Sequence, residues 1–165
     1  MTRADGLGLA FTAAVLVHNA EEAWLLPRWS RAQSWYRPVG DGEFRWAVLL
    51  LSLLLLGLTG LQLAWGSRFA ELSAVFSAYV IAMLVNALLP HLALSLLQRR
   101  YMPGTASAWL GVVPLGLAWL QAAQAEGRLL LAKHVWTLVL SGLVLALLVP
   151  VLLWLGRRLA ARRPS

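Results

Sequence analysis

Three side chains that can bind a cation or move a proton, those of His18, Glu21 and Glu22, lie within one apolar stretch, residues 11–26. In an α-helix of 3.6 residues per turn, positions 18, 21 and 22 share one face. A carboxylate at the centre of a bilayer costs about 2.5–3.5 kcal/mol on insertion scales. Two neighbouring carboxylates also repel, unless one is protonated or both share a cation. We therefore expect this face to lie inside a helical bundle.

A second polar group, Asn86 and His91, occurs in another apolar stretch and contains a proline between its members. In a regular helix the side chains of residues 86 and 91 would point about 140° apart. Pro90 lacks an amide hydrogen, so the carbonyl of Asn86 loses its helical partner and the helix distorts. We expect this distortion to bring Asn86 and His91 towards a common centre.

The composition predicts an all-α, polytopic membrane helical bundle. The chain has 165 residues, of which 60% are hydrophobic and 13% charged, and its mean hydropathy is +0.70. A globular domain has roughly 45–50% apolar and 25% charged residues. We expect one domain, residues 1–165, whose first span is not cleaved as a signal peptide. Five transmembrane helices of about 20 residues or more are predicted, at about 6–26, 45–66, 69–98, 105–125 and 133–156. With no cysteine, thiolate metal sites are excluded.

The distribution of basic residues predicts the orientation of these spans. With five spans, ten of the 14 Lys and Arg residues lie on one side, in the 27–44 connection with Arg45, at Arg99 and Arg100, and in the tail from Arg157 to Arg163. The positive-inside rule makes that side cytoplasmic, with the N-terminus outside. The net charge of +7 is then explained by the membrane, and no nucleic-acid partner is expected. This orientation brings both polar groups to the cytoplasmic half of the bilayer.

The connections between spans add further candidates. Tyr101, Thr105 and Ser107 approach the same level from the start of the fourth span, so we expect them to contact the substrate. The 27–44 connection alternates Trp29, Trp35 and Tyr36 with arginines, a composition that favours an anchor in the headgroup layer over a lid. His134 falls near the opposite surface and is not included in the site.

The pattern His18-Asn-Ala-Glu21-Glu22 resembles the signature of the HXXEE-motif membrane proteins, a family of uncharacterised function. Asn86, His91 and the segment from Tyr101 to Ser107 resemble the family's other polar signatures. The resemblance extends from the first span through the fourth. It implies a membrane location and a functional buried cluster, and it supplies no reaction.

The chemistry we favour is metal-assisted catalysis on a lipid or another apolar substrate. Two histidines and one carboxylate form a ligand set of hydrolytic zinc, here His18, His91 and either Glu21 or Glu22, with Glu22 preferred. The other glutamate would act as general base, and Asn86 would orient a histidine or polarise the substrate. The same set suits non-haem iron, but we favour zinc.

Two alternatives remain open. Buried Glu and His residues also form proton relays and cation sites, so the protein could be a small coupled transporter or a lipid binder without catalysis; a transporter of five spans would require a homo-oligomer. The second alternative is a polar network that only fixes helix packing, at about 0.6 kcal/mol per interhelical bond. All of them place the protein in the cell membrane as a multi-pass protein.

Overall fold

A computed structural model describes residues 1–35 and 37–161, so Tyr36 of the connection and Arg162 and Arg163 of the basic tail, all used above, lie outside the described residues. The described chain is all-α and forms five helices. These are α1 (Arg3–Arg31), α2 (Asp41–Trp65), α3 (Ala70–Gln98), α4 (Thr105–Ala125) and α5 (Leu131–Ala160). Each overlaps one predicted span almost completely.

Four of these five helices, α2 to α5, are long and apolar enough to cross a membrane. The remaining helix, α1, has 29 residues but falls short in hydropathy, because His18, Asn19, Glu21 and Glu22 interrupt its apolar stretch. Five spans were predicted, so length and composition support one fewer. In α5 only 6% of the most apolar window is buried, which leaves most of this helix exposed on the outside of the bundle.

The bundle core forms where α1, α3 and α4 meet around aromatic rings. Phe76 packs against Phe11 and Trp119, with ring centroids 6.0 Å and 4.8 Å apart, and all three side chains are fully buried. Gly116 permits this approach, because a Cβ there would lie 3.1–3.2 Å from Val80, Leu84 and Phe11. α5 packs on the other side, against α2 and α3.

Two helices contain π-helical turns close to the predicted site. α3 is π-helical from Ala87 to Ala93, with Pro90 inside this segment, and α4 is π-helical from Ala108 to Val112. In a π-helix hydrogen bonds run from residue i to i+5, and such segments often occur at functional sites. The predicted distortion around Pro90 is therefore confirmed, and it takes the form of a widened helical turn.

The start of α1 is joined to the α4–α5 connection by a group of polar residues that we call the N-terminal clasp: Thr2, Asp5, Glu126 and Arg128. Thr2 caps α1 in a capping box with Asp5. The buried Arg128 donates to Asp5 over 2.8 Å and lies 2.9 Å from Glu126. Burial raises the pKa of Glu126, but hydrogen bonds from Ala4 N–H and Thr2 and the charge of Arg128 outweigh it, so the pKa lies below its ordinary value.

Candidate metal centre

The HxxEE turn of α1 and the π-helical turn of α3 face each other and bring three side chains together. His18 and Glu22 are one turn apart on α1, with Nε2 of His18 3.8 Å from the Glu22 carboxylate. His91 of α3 places its Nε2 3.3 Å from the other oxygen of Glu22. One donor atom from each of His18, Glu22 and His91 lies within 4.8 Å of the other two. Both histidines are fully buried.

His18 presents a nitrogen lone pair to this centre. Its Nδ1 lies 3.1 Å from the carbonyl oxygen of Gly104, which can only accept a hydrogen bond. The hydrogen of the neutral ring is therefore on Nδ1, and Nε2 carries the lone pair. Nε2 is buried without a hydrogen-bond partner among the described residues. A nitrogen lone pair and a carboxylate that face each other in a buried site repel unless a proton or a cation lies between them.

Asn86 reaches His91 from five residues earlier in the same helix. The Asn86 side-chain nitrogen is 3.0 Å from Nε2 of His91, an approach that the widened turn allows. Two side chains satisfy backbone carbonyls of this turn: Trp109 donates to Ala87 over 3.3 Å, and Thr105 lies 3.2 Å from the carbonyl oxygen of His91. The π-helical geometry is thus held by contacts from α4.

Gly104 closes the site on the side of the α3–α4 connection. Its φ of +91° lies in the left-handed region that favours glycine. A Cβ at this position would be 2.6 Å from Cε1 of His91 and 2.8 Å from Cε1 of His18. The two rings stand edge to face, with centroids 4.9 Å apart, directly beneath this backbone. Both the conformation and the space therefore require glycine.

Glu21 turns away from the three-donor centre and binds the α3–α4 connection. Its Oε1 accepts hydrogen bonds from the Tyr101 hydroxyl and from Gly104 N–H, the latter over 2.8 Å, and its Oε2 accepts from Ser107 over 2.5 Å. Ser107 Oγ is also 3.2 Å from Nδ1 of His18. The two adjacent glutamates of the motif therefore have different surroundings: Glu22 faces the histidines, and Glu21 faces the hydroxyl groups and the backbone.

The three residues expected to contact substrate lie beside the centre, but they do not line its cavity. Tyr101 and Ser107 bind Glu21, and Thr105 lies 2.7 Å from the carbonyl oxygen of Met102. Burial and the Glu21 carboxylate raise the pKa of Tyr101, so its hydroxyl stays a hydrogen-bond donor at neutral pH. These contacts give the three residues a supporting position around His18 and Glu21.

A cavity of about 790 Å³ lies along one side of the centre. Its polar lining consists of His18, Asn19, Glu22, Asn86, His91 and Tyr79, and the rest is apolar, mostly from α2, α3 and α5. No lysine or arginine is among the residues that line it in the described ranges. This volume falls in the range of small-molecule sites, about 300–1,000 Å³. The cavity therefore fits an apolar molecule with a small polar group.

Two contributors to this region were missed from the sequence. Gly104 was not predicted to take part in the site, although a glycine after a proline is a signal for a left-handed residue. Asn19, the second residue of the HxxEE pattern, is buried and donates to Ser52 of α2 over 3.0 Å. His134 lies in the first turn of α5, where its Nδ1 is 3.0 Å from the carbonyl oxygen of Leu130, and it is not part of the three-donor group.

Comparison with known proteins agrees with the motif. The chain is similar to the uncharacterized protein YrkK of Bacillus subtilis (strain 168), with 27% identity over 152 residues, which cover 91% of this chain and 95% of that protein. No solved structure matches it. Residues 9–119, which contain the HxxEE turn, the π-helical turn of α3 and the α3–α4 connection, match the model of a protein family of unknown function. The chain belongs to this family, the proteins of unknown function with an HXXEE motif.

Proposed function

We propose that the protein is a multi-pass protein of the cell membrane in which His18, Glu22 and His91 hold a divalent cation, and that the site hydrolyses an apolar or lipid-like substrate. The observation that carries this proposal is the convergence of three donor atoms within 4.8 Å on the wall of an apolar cavity. Four helices that are long and apolar enough to cross a membrane support the location. The arginine-rich end is then cytoplasmic.

The donor set supports zinc over iron as the resident metal. Two imidazoles and one carboxylate form the three-ligand set of hydrolytic zinc sites, which leave a fourth position open. Tetrahedral ligands about 2.0–2.1 Å from zinc lie about 3.3 Å from one another. The His91–Glu22 distance of 3.3 Å already has this value. The His18–Glu22 distance of 3.8 Å is to the other carboxylate oxygen, so the three donor atoms, which lie within 4.8 Å of one another, must draw closer together to bind zinc. Zinc bound there would polarise a substrate carbonyl and activate water.

The residues around the donor set have separate tasks in this proposal. Gly104 fixes the tautomer of His18 through its carbonyl oxygen. Asn86 lies against His91 and also lines the cavity, so it can orient the imidazole or donate to a substrate carbonyl. If Nε2 of His91 binds the cation, the Asn86 amide must move off that nitrogen, because one lone pair cannot serve both. Asn86 would then be available to the substrate.

Metal content of the purified protein tests this proposal. After purification without chelators and dialysis against zinc, we expect about one equivalent per chain in the wild type and in H134A, a matched histidine control outside the site. H18A, H91A and E22Q should retain less than a tenth of that amount while keeping their helical content by circular dichroism. Zinc-dependent cleavage of a neutral long-chain chromogenic ester, absent in E22Q, would support hydrolysis.

Wild-type protein that takes up no stoichiometric zinc or iron would contradict the metal site. The protein would then be better explained as a lipid binder or a proton-coupled transporter. A proton-flux assay in liposomes, with E22Q as the control, separates these two functions. Zinc binding that H134A reduces as much as H18A would also contradict the assignment, because the metal would then sit elsewhere.

A further inference from the structure

Four tryptophans of α2 and α5, three of them exposed and Trp46 half-buried, mark two levels along the bundle. On α5, Trp136 and Trp154 are 74% and 51% exposed and are separated by 18 residues, or about 27 Å of helix. On α2, Trp46 and Trp65 are separated by 19 residues, or about 28 Å. Tryptophan concentrates at the two edges of the hydrocarbon layer, which is about 30 Å thick. Both spacings therefore fit one membrane slab.

The two helices present their tryptophans at matching levels. α2 and α5 are antiparallel, and Gly156 of α5 sits against the backbone of α2, where an added Cβ would lie 3.1 Å from Ala47 N. Arg157 also donates to Glu43 over 2.7 Å. Trp154 is thus level with Trp46 at the arginine-rich end. The helix lengths then bring Trp136 level with Trp65 at the other end.

Cross-helix hydrogen bonds align α1 with the same slab. Thr12 lies 2.8 Å from Thr59, and Asn19 donates to Ser52 over 3.0 Å. The two helices are therefore antiparallel, and a step of seven residues along α1 corresponds to a step of seven residues back along α2. This register brings Leu25 level with Trp46 at the arginine-rich boundary. Residues 6–25 of α1 then lie within the slab, although their composition alone does not identify a span.

The register also gives the depth of the donor group. Glu22 and His18 precede Leu25 by three and seven residues, which correspond to about 5 Å and 10 Å of helix. Helical side chains tilt towards the N-terminus, which here points deeper into the membrane. The three donor atoms therefore lie roughly 5–10 Å inside the hydrocarbon layer, below the level at which a phospholipid carries its phosphate.

We propose that the site takes a neutral molecule dissolved in the bilayer, such as a long-chain ester or alcohol, rather than a phospholipid or another phosphate-bearing amphiphile. The depth of the donors is one reason. The other is the lining of the cavity, where no lysine or arginine of the described chain is present to bind a phosphate group and its charge would have to be neutralised by the cation alone. The depth of the donor atoms does not depend on the proposed function, whereas the role of the ligand as a substrate rests on it.

Spin-label measurements test the depth without any metal. The chain has no cysteine, so L49C and L53C, at lipid-exposed positions of α2, each give one label on protein reconstituted in nanodiscs. Power saturation should locate the labels about 5 Å and 10 Å inside the arginine-rich boundary, since they follow Trp46 by three and seven residues. Two labels at headgroup depth would overturn the proposal even if zinc binds.

Ligand competition tests the chemical class. A fluorescent long-chain alcohol is bound to nanodisc protein, with empty nanodiscs subtracted, and is displaced by a neutral long-chain methyl ester or by a lysophosphatidic acid of the same chain length. We expect at least about tenfold stronger displacement by the ester. Equal displacement, or stronger displacement by the phosphate compound, would overturn the proposal, whereas zinc content reports separately on the metal site.

Discussion

The side-chain nitrogen of Asn86 lies 3.0 Å from Nε2 of His91, although a regular α-helix would point these two side chains about 140° apart. The π-helical segment Ala87–Ala93 makes this contact possible, because residues five positions apart come close to alignment when hydrogen bonds run from i to i+5. Pro90, inside the segment, cannot donate the amide bond of a regular helix. The π-helical turn thus brings His91 to Glu22.

Replacing Pro90 by alanine should weaken metal binding without lowering the stability of the protein. In P90A the restored amide donor favours a regular helix, in which alanine is up to about 3 kcal/mol better than proline. We expect an unchanged or higher unfolding temperature and at least about tenfold weaker zinc affinity, since His91 would turn away from Glu22. P150A, which removes a proline inside α5, should leave zinc affinity unchanged. Wild-type affinity in P90A would show that the wide turn is not needed.

The two glutamates of the motif should differ in titrations with zinc. E22Q removes a proposed ligand, and we expect at least about 100-fold weaker binding. E21Q leaves the ligands in place but weakens the hydrogen bonds from Tyr101, Gly104 and Ser107 that hold the connection against His18. The expected loss is about tenfold, as for other groups that orient a ligand, with a lower unfolding temperature. The reverse order of effects would identify Glu21 as the ligand.

Gly104 should tolerate no side chain. Alanine there would adopt a left-handed conformation, at about 1–2 kcal/mol, and would press on both histidine rings, at about 1–3 kcal/mol. We expect G104A to lose roughly 2–5 kcal/mol of unfolding free energy. Gly127 also has a positive φ, of +69°, but open space around its Cβ position. G127A should lose only about 1–2 kcal/mol, and equal losses would show that the histidines do not crowd Gly104.

A large side chain at Gly142 should fill the cavity without disturbing the metal centre. Gly142 lines the cavity, and a Cβ there meets nothing within 4 Å. We expect G142F to bind a long-chain alcohol at least about tenfold more weakly and to keep its zinc. Gly57 of α2 has similar open space but does not line the cavity, so G57F is the control. Unchanged ligand affinity in G142F would mean that the ligand binds elsewhere.

The N-terminal clasp should make stability depend on pH through Glu126. Its pKa is lower in the folded protein than its ordinary value of 4.5. The folded state therefore gains stability from the ionised carboxylate above pH 4.5 and loses it as the pH falls through the folded pKa. The stability difference between wild type and E126Q should be constant above about pH 5.5 and shrink below pH 4.5. A stability difference that stays constant as the pH falls below 4.5 would contradict this role of Glu126.

The number and approximate positions of the helices could be predicted, because long apolar runs leave few alternatives in a chain of this composition, whereas some ends differ by four or five residues, as at Arg31 of α1. The pairing of the two polar groups also followed from the sequence, since burying His18, Glu22 and His91 separately would be costly. The different surroundings of Glu21 and Glu22 could not be predicted. Helical periodicity assigns both to one face, and only the position of the α3–α4 connection decides which carboxylate meets the histidines.

The N-terminal clasp was missed for a related reason. Arg128 counted only as a basic residue of a connection, although the spacing of Thr2 and Asp5 is a capping-box signal. Nothing in the sequence indicates that Arg128 reaches Asp5 across 123 residues. Contacts between the ends of distant helices depend on their packing, which single-sequence patterns do not contain.

The π-helical turn of α3 also determines the directions in which the side chains after Ala93 point. Compared with a continuous α-helix, the segment after Ala93 is rotated by about a third of a turn, and this rotation points Ser95 at Met102 N–H and Thr105. Straightening this turn into a regular α-helix with every residue kept would leave unchanged the hydrophobicity that drives insertion into the bilayer. It would, however, turn Ser95 away from its partners, so a chain that inserts normally could still fail to assemble its metal centre.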